Sequence, residues 1–278
     1  MNTRLLSFVA PPLLVVVVAA ALWFTFHTAT PDPEPQSDPV DLPIPPVPPR
    51  IAQGRDYEQC LALLDDDPAA AGTFALGWQG SNGGDGAAHC LALSRIALGH
   101  PAEGAELLEN LARDSQAAPA ARAIVYGQSS QAWLMAEQGV RAFGAATMAL
   151  ALLPDQEDML IQRAVIAGNL GRYADAIADL DRALQLDPRR TDTLTLRAAA
   201  WRHVGRLDAA QNDIDAAMAV DVDYPEALLE RGILRQRQGN PEGAREDWER
   251  AIELAPDSPT ADLAEQNLAL LDAGPARR

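Results

Sequence analysis

Four histidines are the first candidates for acid–base or metal chemistry, since an imidazole can carry a proton or bind a transition metal near neutral pH. They are His27, His89, His100 and His203. None has cysteines or carboxylates at the spacing that zinc sites use. Each is therefore interpreted as a solvated or packing side chain.

A glycine-rich stretch and three acid pairs suggest phosphate or calcium binding. "QGSNGGDG" (79–86) lacks the following Lys-Ser/Thr of a phosphate loop, so an ordinary loop is predicted. The acid pairs lack the spacing and the glycine of a calcium loop. They are Asp179/Asp181, Asp213/Asp215 and Asp221/Asp223, and the first two are predicted to be solvated on helices. The sequence thus predicts no catalytic residue, no metal and no cofactor, and so a protein that is not an enzyme.

Cys60 and Cys90 are the only cysteines. In an oxidising compartment an even pair favours a disulfide, and two buried thiols are the alternative. Closing a loop of about 31 residues would stabilise the fold by roughly 3 to 4 kcal/mol in the chain-entropy model.

Composition and charge narrow the class of partner. All 22 basic residues are arginine, and the formal net charge is −17. Binding to nucleic acid or to an anionic membrane surface depends on clustered cations, so neither is expected of the folded part. Abundant alanine and leucine favour helices, and a lysine-free, alanine-rich chain indicates a bacterial source.

Residues 5–26 carry no charge and are long enough to cross a bilayer core. Arg4 precedes them and acidic residues follow, which predicts that everything after residue 30 is exported. Residues 1–30 are therefore predicted to be a membrane anchor or a signal segment. Anchoring in the bacterial inner membrane, with a periplasmic soluble domain, is favoured because His27 and Ala29 do not make a good cleavage site; secretion after cleavage is the alternative.

Residues 31–50 are rich in proline and predict an extended linker without helix or central strand. From residue 51 the apolar spacing is three and four, interrupted by short breaks. The remainder of the chain is therefore predicted to be all-α.

A repeat of 34 residues organises the second half of the chain. Residues 157–190, 191–224 and 225–258 align without gaps, and 123–156 fits the same frame, although its loop glycine is at 139. Small residues recur at fixed places, where they let paired helices approach closely. These repeat-packing residues are Ala142, Ala149, Ala164, Gly171, Ala176, Ala183, Ala198, Gly205, Ala210, Ala217, Gly232, Gly239, Ala244 and Ala251.

The pattern resembles the tetratricopeptide repeat (TPR) family, and "LGRYADAIADLDRALQLDP" (170–188) is a close match to its signature. The resemblance implies a right-handed superhelical solenoid of antiparallel helix pairs. It implies four repeats over 123–258, divergent helical repeats over 51–122, and a capping helix and tail over 259–278. Cys60 and Cys90 would then lie on first helices of successive pairs, where a bond would pin the divergent end of the solenoid. Val222 departs from the family's proline.

The resemblance also implies a concave groove lined by first-helix residues, mostly at places two, five, six, nine, twelve and thirteen of each repeat. Asp158, Asp192 and Glu226 stand at the second place. The other groove residues are Gln128, Gln131, Met135, Ile161, Gln162, Val165, Asn169, Thr195, Ala199, Arg202, His203, Leu229, Ile233, Gln236 and Arg237. We expect an apolar floor at Ile161, Thr195 and Leu229, with amide and arginine walls; the alternative is that some apolar members pack between repeats. The lysine-and-asparagine clamp that some family members use for a terminal carboxylate is absent.

These features predict a non-catalytic scaffold or adaptor that is tethered to the inner membrane and binds a peptide or protein in its groove. Neither nucleic acid nor a small-molecule substrate is expected. Two alternatives remain: a chaperone-like module for exported apoproteins, as in cytochrome c maturation, and a self-assembling structural scaffold of the envelope.

Overall fold

The computed structural model describes residues 50–274, and over that range the chain forms thirteen α-helices and no strand. The predicted anchor (1–30), nearly all of the predicted linker (31–50) and residues 275–278 lie outside the described range. Within it, no helix has both the length and the apolar character needed to cross a membrane. The helices are α1 (Arg55–Asp66), α2 (Pro68–Gly80), α3 (Gly84–Ala97), α4 (Pro101–Asp114), α5 (Pro119–Met135), α6 (Gly139–Leu152), α7 (Glu157–Asn169), α8 (Tyr173–Leu186), α9 (Thr191–His203), α10 (Leu207–Val220), α11 (Pro225–Arg237), α12 (Pro241–Leu254) and α13 (Pro259–Ala273).

The helices pack as successive pairs, from α1 with α2 to α11 with α12. Each second helix also contacts the first helix of the next pair, and first helices contact one another at α7 with α9, α9 with α11 and α11 with α13. This is the all-α solenoid that the 34-residue period predicts, because a single pair cannot bury its apolar face. The first helices therefore share one side of the stack.

The repeat-packing alanines lie between the helices, where each is at most 2% exposed. The eighth place shows why the residue must be small. A Cβ added to Gly232 would lie 2.3 Å from Nε1 of Trp248, so glycine makes room for the indole. Ala164 and Ala198 occupy this place where the facing twenty-fourth place holds the smaller Leu180 and Ile214.

The first helix of each repeat ends in a left-handed residue at the fifteenth place. Gly171, Gly205 and Gly239 have φ of 72°, 78° and 81°. In the repeat at 123–156 this conformation falls on Glu137, with φ of 57°, while Gly139 begins α6. The turn is therefore kept although the glycine is displaced, and Glu137 adopts the left-handed conformation at a cost in free energy.

An arginine at the seventh place and an aspartate at the twenty-third join the two helices of three repeats. We call this set the Arg–Asp ladder. In each rung Nη2 donates to Oδ1 at 2.6 Å, and Nε donates to Oδ2 at 2.8 to 3.0 Å. The rungs are Arg163–Asp179, Arg197–Asp213 and Arg231–Asp247. Solvation was wrongly predicted for two of these aspartates: Asp179 and Asp213 are each 6% exposed, because a planar guanidinium supplies two donors to each carboxylate.

A disulfide joins Cys60 of α1 to Cys90 of α3, with 6.0 Å between their Cα atoms. Beside it, a buried chain of hydrogen bonds crosses three first helices. The hydroxyl of Tyr57 lies 2.8 Å from Nδ1 of His89, and Nε2 of His89 lies 2.7 Å from Oε1 of Gln128. Burial lowers the pKa of His89 to about 4, so the imidazole is neutral at pH 7 and can accept from Tyr57 while donating to Gln128.

Candidate functional site

The first helices α5, α7, α9 and α11 present most of the predicted groove residues to solvent. Twelve of the fifteen are at least partly exposed. They are Gln131, Met135, Gln162, Val165, Asn169, Ala199, Arg202, His203, Leu229, Ile233, Gln236 and Arg237. These twelve residues thus lie on the solvent-accessible face of the first helices.

The three other predicted residues are buried and offer little surface to a ligand. Gln128 is held by His89, and Ile161 packs into the hydrophobic core with 9% exposure. Thr195 is 6% exposed, and its hydroxyl donates to the carbonyl of Thr191 at 2.8 Å. Of the expected apolar floor at the fifth place, only Leu229 keeps a partly exposed side chain. For Ile161, packing within the repeats is therefore what the structure shows.

A pocket of about 410 Å³ lies on this face between α7 and α9, with α8 behind it. We call it the α7–α9 pocket. Its walls are mostly small or aliphatic, because alanine and glycine on the first helices leave space that no larger side chain fills. Its lining residues are Ala164, Val165, Gly168, Asn169, Tyr173, Ala176, Leu180, Leu196, Ala199, Ala200 and His203. Val165, Asn169, Ala199 and His203 are among the predicted groove residues, so the structure brings these four together.

Tyr173 is a pocket residue that the sequence analysis missed. It begins α8, and its ring stacks on that of His203, with centroids 4.4 Å apart and planes 6° from parallel. The expected positions lie only on first helices, whereas Tyr173 is at the seventeenth place of its repeat. An aromatic residue two positions after the loop glycine Gly171 was the available signal.

A row of hydrogen-bond donors at the thirteenth place begins at the polar edge of the pocket. Asn169, His203 and Arg237 occupy this place in three successive repeats, and all three are exposed. The pKa of His203 is lowered by partial burial and by the nearby charges of Arg202 and Arg237. Asn169 and His203 line the pocket, and Arg237 stands at the same place one repeat further along the face.

Arg202 forms an ion pair with a buried carboxylate within the groove. Its guanidinium donates to both carboxylate oxygens of Glu230, which is 5% exposed. Burial raises the pKa of Glu230, and the ion pair with Arg202 opposes that effect. The pair ties α9 to α11 beneath the exposed row.

The opposite end of the first helices is acidic. Arg190 bridges Asp158 and Asp192, the second-place residues of two repeats, with N–O distances of 2.8 and 2.9 Å. Glu226, at the same place one repeat later, accepts from the hydroxyl of Thr260 at 3.0 Å. The groove is therefore acidic along one edge and rich in donors along the other.

Over residues 50–274, no group of three or more histidine, cysteine, aspartate or glutamate side chains is placed to hold a metal ion. The chemistry that the α7–α9 pocket offers is binding, with apolar walls for a side chain and hydrogen-bond donors at one edge.

Stacked helix pairs with one accessible first-helix face define a helical-repeat solenoid. Two tetratricopeptide-repeat family models match the chain, over residues 158–190 and 196–269. The matched residues of this chain are tetratricopeptide repeats.

Solved structures share this fold. MamA (41-end) from Desulfovibrio magneticus RS-1 matches with a TM-score of 0.53 and 16% identity over 74% of this chain and all of that one. Another MamA crystal structure matches with a TM-score of 0.51 and 12% identity over 65% of this chain and 97% of that one. A chain of the APC/C hetero-tetramer Cut9–Hcn1 matches with a TM-score of 0.53 and 15% identity. The match covers 77% of the present chain and 42% of the Cut9–Hcn1 chain. At these identities the likeness shows the fold alone. Comparison with curated proteins finds no sequence match.

Proposed function

We propose that the chain is a non-catalytic protein-interaction scaffold, which binds an extended or helical segment of another protein along its first-helix face. The α7–α9 pocket carries this proposal. It combines a volume of about 410 Å³ with apolar walls and donors at one edge, which suits one apolar side chain of a protein ligand.

The neighbourhood of the pocket supports the proposal. The side chain of Val165 is 38% exposed in the pocket wall. Covering this apolar surface with a ligand would lower the free energy of the complex. Farther along the same face, Leu229 and Ile233 are partly exposed on α11. A bound segment would cover both areas.

We further propose that residues 5–26 tether this scaffold to the bacterial inner membrane and that the repeats face the periplasm. The uncharged stretch and the charge difference across it support this placement. The protein would then hold its partner at the membrane.

The test compares two charged variants of the full-length protein by crosslinking in the host's own membranes. Val165→Asp places a carboxylate in the pocket wall and should abolish the partner adduct. Met148→Asp is the matched control, because Met148 is 48% exposed on the second helix α6, and it should leave the adduct intact.

Circular dichroism must show equal helicity for both variants, since Val165 and Met148 are both exposed enough to accept a charge without unfolding. An adduct that survives Val165→Asp would contradict the proposed groove. Fractionation of membranes tests the anchor separately, and recovery of the intact chain in the soluble fraction would contradict tethering.

A self-assembling scaffold is the second candidate, and α13 is the observation that favours it. Leu263 and Leu270 are 50% and 63% exposed there. They are seven residues apart and therefore lie on the same face of the helix. Sedimentation of the full-length protein in detergent should show concentration-dependent assembly that Leu263→Ser with Leu270→Ser removes. A monomer at every concentration would contradict self-assembly.

A further inference from the structure

The chemistry of the partner segment can be specified from the charges around the α7–α9 pocket. The pocket walls accept an apolar side chain, and one edge carries Asn169 and His203. Arg237 continues this thirteenth-place row in the next repeat, beyond the pocket itself. All three side chains can donate hydrogen bonds. Among protein side chains, a carboxylate can accept the largest number of hydrogen bonds.

Arg237 is the charged member of the row, and its charge helps to lower the pKa of the buried Glu230 without an ion pair between the two. Its side chain is exposed, and among residues 50–274 no carboxylate lies within salt-bridge distance of its guanidinium. Arg202, by contrast, is held by the buried carboxylate of Glu230. A ligand carboxylate at Arg237 would therefore gain an ion pair without breaking an existing one.

The charges of the groove also set the direction in which the ligand's acidic group must point. Asp158 and Asp192 lie at the second place, eleven residues before the thirteenth, which is about 16 Å along a helix. Glu226 continues this acidic edge on α11. An acidic ligand group is repelled from that edge and attracted to the thirteenth-place edge.

The geometry points to a partner segment that carries an apolar side chain for the α7–α9 pocket and a neighbouring Asp or Glu for Arg237 and His203. This inference rests on the proposed function and names the chemistry of its ligand. It differs from the lysine-and-asparagine clamp for a terminal carboxylate, because the donors here are thirteenth-place side chains that would bind the side chain of an internal acidic residue.

The test uses the full-length protein in detergent and arrays of short cellulose-bound peptides. Each peptide has one central Leu or Phe flanked by Ser, Ala and Gly, and one neighbouring position that is Glu, Gln or Lys. We expect a preference for Glu over Gln of roughly two- to fivefold, the range for an exposed ion pair, and weaker binding for Lys. The preference should fall as salt is raised.

Two arginine variants isolate the contribution of Arg237. In Arg237→Gln the Glu and Gln peptides should bind equally, while binding of the Leu and Phe peptides persists. Arg189→Gln is the matched control, because it removes the same charge from the exposed turn between α8 and α9 and should keep the preference.

The outcomes separate this inference from the proposed function. If Val165→Asp abolishes binding but Glu, Gln and Lys peptides bind the wild type alike, the inference is wrong and the groove stands. If Arg237→Gln keeps the full preference for Glu, the inference is also wrong. If no peptide binds, or if Val165→Asp changes nothing, both proposals are contradicted.

Discussion

At the scale of single residues, Glu137 shows how the repeat imposes a backbone conformation on an unfavourable residue. Its φ of 57° belongs to the place where three other repeats have glycine. The amide of Gln138 closes the turn by donating to the carbonyl of Trp133 at 2.9 Å, as Arg172 does to Ala167 at 2.8 Å one repeat later. The hydrogen bonds of this helix end therefore hold Glu137 in the left-handed region.

Glu137→Gly should raise the free energy of unfolding by about 0.5 to 1 kcal/mol. Glycine removes the left-handed penalty of roughly 1 to 2 kcal/mol, and its greater freedom in the unfolded chain offsets part of the gain. Denaturant titration followed by circular dichroism measures the difference. Gly171→Glu is the reciprocal variant and should lower stability; equal midpoints for both variants would contradict the account.

The buried His89 makes stability depend on pH. Its pKa is lowered by burial to about 4, whereas an unfolded histidine has a pKa of about 6.5. Between these values the unfolded chain binds more protons, so stability falls as the pH drops from about 6.5 to about 4. The loss amounts to about 3 kcal/mol by pH 4 and does not grow further below it.

His89→Gln should remove this slope, since an amide can replace both hydrogen bonds and does not titrate. The measurement is the difference in unfolding free energy between wild type and variant across that pH range. A difference that stays constant with pH would show that His89 is not the titrating group.

At the scale of elements, the Arg–Asp ladder fixes how the two helices of a repeat face each other. Hydrogen bonds to Asp179 and Asp213 raise the pKa of Arg163 and Arg197, so both arginines remain charged. The aspartates are buried and the arginines only partly so. Each rung is thus a partly desolvated ion pair, and its contribution to the free energy of folding requires both partners to be present.

Asp213→Leu should destabilise the fold by about 3 kcal/mol, because Arg197 would be left without its main buried partner. Arg197→Met together with Asp213→Leu should recover most of that loss, since two apolar side chains can fill the same space. Denaturant midpoints of the two variants test this. A double variant that is as unstable as Asp213→Leu would show that the rung is favourable in itself.

At the scale of the whole molecule, the 34-residue period alone predicts the stack. The repeat-packing alanines and Gly232 are buried where the alignment puts them. Gly171, Gly205 and Gly239 are instead exposed, and they end the first helices rather than pack between them. Periodicity predicts which helix a residue belongs to, since that depends only on local spacing.

The groove was less predictable, because exposure depends on what neighbouring repeats place against a residue. Ile161 and Leu229 share the fifth place, yet only the first is buried. The ladder was also missed, although its residues recur every 34 positions. The signal was present in the arginines of the first helices, but pairing them with aspartates of the second helices needs the angle between the helices.

The central claim is that the first-helix face of the solenoid binds a partner protein. Its most direct test is a photoreactive residue placed either at Ala199, in the α7–α9 pocket, or at Ala216, which is exposed on the second helix α10. The account predicts one discrete protein adduct from position 199 in host membranes, lost in the Val165→Asp variant, and none from position 216. Equal adducts from both positions, or an adduct from position 216 alone, would contradict it.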